Sequence, residues 1–152
     1  MEYTSYVDSG RGPDQFDVLR TVMEIPRKAG REVYVLAVPR GEYDLEKLKA
    51  ACRDIPEASH AIHVNGTIDV VVDGDLKRAE EIGRRISACT GEPIGCVHYD
   101  GAEDGMINFY RKLKAAIRTA REAIEPVHTY DPTKDSIAAR AATLRDSLAG
   151  KG

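Results

Sequence analysis

His60 to Asp73 reads HAIHVNGTIDVVVD, two runs of strand-forming residues on either side of Asn65-Gly66. An Asn-Gly pair between alternating apolar residues marks a β-hairpin, because both residues tolerate the positive φ that a tight turn demands. Two registers compete. A two-residue loop sets Val64 opposite Thr67 and Ile62 opposite Asp69. A three-residue loop, Val64-Asn65-Gly66 with Gly66 left-handed at a bulge, sets Ile62 opposite Ile68 and His60 opposite Val70. The second register collects the apolar residues and is the one expected.

Working outward, Arg31 to Pro39 (REVYVLAVP) is apolar on both alternating faces, as a strand covered on both sides should be. Asp44 is a suitable N-cap, and Leu45, Leu48, Cys52 and Ile55 follow at helical spacing until Pro56. Beyond the hairpin, Asp75 caps a second helix with Leu76, Ala79, Ile82, Ile86 and Cys89 on one face. Gly91 stands at its C-terminal cap, and a last strand runs from Pro93 to Tyr99. Strand, helix, hairpin, helix, strand with right-handed crossovers gives an α+β fold, the ferredoxin-like βαββαβ sandwich. Its four-stranded antiparallel sheet has the order 4-1-3-2, with both helices on one face.

That domain occupies residues 32–101. Residues 1–13 read as a mobile leader. Residues 14–31 hold one helix, capped by Asp14, with Phe16, Leu19, Val22, Met23 and Ile25 on one side and its end at Pro26 and Gly30. Residues 102–152 form a helical extension of two amphipathic helices. Met106, Tyr110, Leu113, Ile117, Ala120 and Ile124 repeat at intervals of four and three, a heptad-like seam closed by Pro126. Ile137, Ala141, Leu144 and Leu148 repeat the spacing in a terminal helix capped near Thr133 or Asp135.

Two helices leave one sheet face open, yet the first strand carries Tyr34, Leu36 and Val38 on one side and Val33, Val35 and Ala37 on the other. At roughly 1.5–3 kcal/mol per large apolar side chain, that face must be covered. The cover is the N-terminal helix, the seam helix or a second subunit, so a homodimer or a partner protein is expected. Met106, Tyr110, Leu113, Ile117 and Ile124 are the candidate partner interface.

The chain has 152 residues and a formal net charge of −3, with no basic excess in the totals. Nucleic acid is therefore not expected as a partner, nor is a membrane, since no apolar run has spanning length. The three cysteines, Cys52, Cys89 and Cys96, suggest reduced thiols and a cytoplasmic location.

No metal or other cofactor is expected. His60 and His63, three apart on a strand, point to opposite faces, and His98 falls on the far edge strand. Cys52 and Cys89 end antiparallel helices and should lie at opposite ends of the layer. Cys96 and His98 share a face, a weak candidate for a soft metal. Arg40 and Gly41, entering the first helix, are candidates for anion binding, although Glu42 and Asp44 bring negative charge to the same place. Arg111, Lys112, Lys114, Arg118 and Arg121 read first as a solvated helix face.

Residues 32–100 resemble the small regulatory domains of the ACT and leucine-responsive-regulator type. The resemblance lies in the helix ending IPEAS, the strand after it and the NGTIDVVV hairpin feeding a polar helix. It implies a module that binds a small-molecule effector, often an amino acid, at a subunit interface, with the loop PRGEY as the matching segment. The helix-turn-helix of such regulators has no counterpart, so a direct transcription factor is not implied. Arg40 with Asn65 also resembles the arginine and asparagine pair of acylphosphatases, but VYVLAVPRG lacks their glycine-rich cradle. Arg40, Gly41, Tyr43 and Asn65 are thus the ligand-binding candidates. The expected function is a non-catalytic regulatory or accessory module binding a small ligand or a protein partner. The alternatives are a small enzyme acting on an acyl-phosphate or phosphoryl substrate through the Arg40 loop, and a docking subunit that uses the C-terminal helices.

Overall fold

The computed structural model describes residues 2–5, 15–64, 66–101 and 106–149. In chain order the elements are β1 (Glu2–Ser5), α1 (Gln15–Lys28), β2 (Val33–Pro39), α2 (Leu45–Cys52), β3 (Ala58–Val64), β4 (Thr67–Asp73), α3 (Leu76–Thr90), β5 (Ile94–His98), α4 (Met106–Ala123), β6 (Val127–Thr129), α5 (Pro132–Asp135) and α6 (Ile137–Ala149). The βαββαβ core runs from β2 to β5. Its sheet order is β3-β4-β2-β5, all antiparallel, which is the order expected from sequence.

The sheet is larger than four strands. β6 adds to β5 in parallel, making a five-stranded mixed sheet, and β1 adds to β3 in parallel at the other end. Strand β5, expected at an edge, is therefore interior. Two β-bridging segments escaped the sequence reading because neither is long enough to show an alternating pattern. Val127–Thr129 sits between Pro126 and Asp131, and Glu2–Ser5 lies within the stretch read as leader. Pairing with a preformed neighbour, not intrinsic propensity, makes such pieces strands.

Two apolar layers hold the sheet. Leu36, Val38, Ile68, Val70 and Val72 pack against α2 and α3, with Leu48, Ile82 and Ile86 fully interior. Val33, Val35, Ala37, Ile62 and Val71 face the other way, against Leu19 and Met23 of α1 and Phe109, Leu113 and Ile117 of α4. The open face is thus covered within the chain, by two helices together. A glycine makes the contact close. A Cβ on Gly95 of β5 would lie 2.9 Å from both Ile117 N and Leu113 O, so α4 rests its backbone almost on the strand. Gly83 of α3 likewise leaves room for Val127, whose Cγ2 would be 2.8 Å from an added Cβ.

Local signals hold at several ends and fail at others. Asp44 and Asp75 cap α2 and α3 by accepting from Glu46 N and Arg78 N, and Gly91 takes the left-handed cap at φ 75°. The α1 cap read at Asp14 lies outside the described residues. Pro26 does not end α1 but sits in its last turn, where its missing N–H removes one intrahelical bond near the helix end. The terminal helix begins later than expected. Asp131 caps the short α5, and Ser136 Oγ accepts from Ala139 N at 3.1 Å to start α6.

The hairpin register differs from the one expected. Val64 pairs with Thr67 and Ile62 with Asp69, the two-residue loop, while Asn65 itself lies outside the described residues. Gathering apolar residues decides a register only when one face is wet. Here both faces are buried, and the polar pair is accommodated internally. Thr67 Oγ1 lies 3.1 Å from Val64 O and 2.8 Å from Asp69 Oδ1.

Candidate functional site

The Arg40 loop is built by the exit of β2 beside the hairpin tip. Arg40 N donates to Gly66 O at 3.0 Å, so Arg40 stands next to the turn that contains Asn65. Its guanidinium lies on His63, Nη1 to Nε2 at 2.7 Å, a geometry in which the arginine donates and the imidazole accepts. Around Gly41 the charge is negative. The Glu92 carboxylate occupies the space over it, 2.3 Å from where a Cβ would be. The N-terminus of α2 is satisfied by Asp44, whose Oδ1 takes Glu46 N at 3.0 Å. Tyr43 packs against the first core. Of the four ligand candidates, Arg40, Gly41 and Tyr43 share one loop, and the charge beside Gly41 is unfavourable for an anion.

The histidines are dispersed. His63 lies opposite Ile68 of the first core and His60 opposite Val71 of the second, on opposite faces as expected. His98 is exposed and its ring lies tilted against Tyr34, with centroids 4.9 Å apart. Among the described residues no group of three His, Cys, Asp or Glu side chains could hold a metal ion. Cys52 and Cys96 are buried, and burial pushes their thiols up to about 11 and about 12, which suits inert packing residues. Cys52 and Cys89 are not at opposite ends. After burial and the opposing pull of Arg85, the Cys89 thiol adds to the upward shift of Cys52. The eight-residue α2 lies against the C-terminal half of the fifteen-residue α3, where Arg85 also reaches Asp54 at 3.1 Å.

Asp69 was not singled out from sequence. It is fully buried on β4 beneath α1 and α4, and its Oδ2 has no hydrogen-bond partner among the described residues. Burial pushes its carboxyl up to about 7, against the hydrogen bond from Thr67 and the charge of Lys114. An aspartate inside a run of valines gives no sequence warning, because a solvent-facing strand residue reads the same way.

The C-terminal region converges on another buried carboxylate. Asp135 accepts from Thr119 of α4 at 2.7 Å, from His128 Nε2 at 2.6 Å and from Asp131 N at 2.8 Å. Burial raises its carboxyl, but the hydrogen bonds from Thr119, His128 and Asp131 outweigh it and hold the group below its usual range. With every partner satisfied, this is a knot that ties β6 and α5 to α4. The seam residues Met106, Leu113 and Ile117 are buried on the chain's own sheet, and Tyr110 packs edge-on against Phe16 of α1.

Beyond the knot the surface changes. Ile124 is 92 % exposed and has φ 54°, the only non-glycine residue with positive φ among the described residues. It borders a groove of about 280 Å³ lined in part by Gly91, Pro93, Ala120, Arg121 and Pro126. Helix α6 has no buried residue, and Ile137, Leu144 and Leu148 are 82 %, 61 % and 62 % exposed. Among the described residues no helix is long and apolar enough to cross a membrane. No protein-family model matches this chain, and no curated protein matches it.

Proposed function

We propose that this protein is a non-catalytic accessory module that docks a protein partner through its C-terminal helices. The carrying observation is α6, a thirteen-residue helix with Ile137, Leu144 and Leu148 at helical spacing and all three largely exposed among the described residues. A helix this short is marginal in water on propensity alone, and its stability normally comes from burying an apolar face. Ile124 supports the same reading. A β-branched side chain in the left-handed region is strained, and such strain clusters where a surface is used. The small-effector reading that follows from the ACT-type resemblance has the βαββαβ topology in its favour. It has no comparable feature at the Arg40 loop, where Arg40 is engaged by His63 and the Glu92 carboxylate lies over Gly41.

The test keeps the chain whole, because removing residues from 103 onward would strip Phe109 and Leu113 from the second core. Native mass spectrometry of protein purified from its own host should find the parent chain in an assembly. The Leu144→Glu/Leu148→Glu variant should then be released as a monomer with an unchanged melting temperature. A lone monomer for the parent would sink the reading.

A further inference from the structure

The net charge of −3 conceals an asymmetry. Residues 106–121 carry five basic side chains and no acidic one, leaving 17 basic against 25 acidic elsewhere. On α4, Arg111, Lys114, Arg118 and Arg121 follow at intervals of three, four and three, and all four are exposed. They form one line about 15 Å long at 1.5 Å rise per residue. Among the described residues no carboxylate forms an ion pair with that line, and the buried Asp69 carboxyl feels the charge of Lys114. Glu122 is committed to Arg140 at 3.1 Å, and Glu125 lies 3.9 Å from His128. Arg111, Arg118 and Arg121 form no ion pair among the described residues. Lys114 reaches over the hairpin tip, its Nζ 3.5 Å from a Cβ position on Gly66, and its ammonium lies 5.4 Å from the Tyr110 ring. Gly66 O in turn takes the Arg40 amide, so the line passes the hairpin tip at Lys114, close to the Arg40 backbone.

We infer that the outer face of α4 is a binding surface for the phosphodiester backbone of a nucleic acid. Three of the four side chains are arginines, whose planar fork takes phosphate oxygens in pairs. The chemistry around the line separates this partner from others. A protein interface gathers an apolar centre with charge at its rim, whereas Met106, Phe109, Leu113 and Ile117 point into the core and leave Ile107 as the one exposed large apolar side chain of α4. An anionic membrane would need that same apolar face free to insert, and it is buried under the sheet. Backbone binding needs only charge in line. The surface lies outside the α6 docking face and does not depend on it.

The experiment is fluorescence anisotropy of the full chain with a labelled RNA single strand and a labelled DNA duplex, between about 50 and about 200 mM salt. Four phosphate contacts give a slope of log affinity against log salt of about −3.5 on the duplex, and scrambling the sequence changes nothing. Arg118→Gln/Arg121→Gln should lower affinity about tenfold or more and flatten the slope by about 2. Arg84→Gln, an exposed arginine on α3, should change neither. Comparing the RNA and DNA arms identifies which backbone is preferred. Three results would each overturn the inference: no binding at the lowest salt, an equal loss in Arg84→Gln, or competition by polyglutamate or phosphatidylserine vesicles as effective as that by nucleic acid.

Discussion

At Asp69 burial raises the carboxyl, and a single hydroxyl proton is left to satisfy two acceptors. Thr67 Oγ1 sits within bonding distance of both Val64 O and Asp69 Oδ1, and its one proton serves only one of them. A neutral Asp69 resolves this by donating to Thr67 and freeing Thr67 for Val64. Its carboxyl, pushed up to about 7 by burial, stays protonated in the folded chain where the unfolded chain has already lost the proton. Stability from this group is full below about pH 4 and falls as pH rises to about 7, a loss on the order of a few kcal/mol. Urea midpoints at acidic and mildly alkaline pH should show that fall, and Asp69→Asn should remove it while raising stability on the alkaline side. A midpoint unaffected by the substitution would mean the carboxylate is ionised in place. Ile124 offers a second residue-scale test. Ile124→Gly relieves the left-handed strain without losing packing, so the melting temperature should rise, by roughly 1 kcal/mol in stability. If the side chain is a docking contact, the same variant loses partner.

Among the elements, α4 carries the most consequence, because one helix closes the second core, anchors Asp135 through Thr119 and displays the basic line. Its position depends on Gly95. Gly95→Ala would drive a methyl into the α4 backbone, so a loss of about 1–3 kcal/mol is expected in denaturant unfolding, from displacement and not from strand propensity. An unchanged midpoint would mean that α4 can shift at no cost. The seam pattern announced this helix and its apolar face, and the caps Asp44, Asp75 and Gly91 stand where sequence put them. The two short parallel strands were not announced. Neither spans enough residues to alternate, and each is held by a neighbour that only the folded chain supplies.

For the whole molecule, the split between two faces explains what each region is free to do. The sheet is sandwiched between α2 with α3 and α1 with α4, so among the described residues no apolar sheet face is left to require a second subunit, and four of the seven exposed large apolar side chains lie on α6 and at Ile124. Sequence alone determined the βαββαβ order, the strand succession within the core and the amphipathic character of the extensions, because periodicity, caps and turn residues act over a few positions. Only the tertiary structure decided the hairpin register, the neighbours of Arg40, the burial of Asp69 and which arginines on α4 form no ion pair among the described residues. Those depend on what lies across a face from each residue, and residues distant along the chain bring it there.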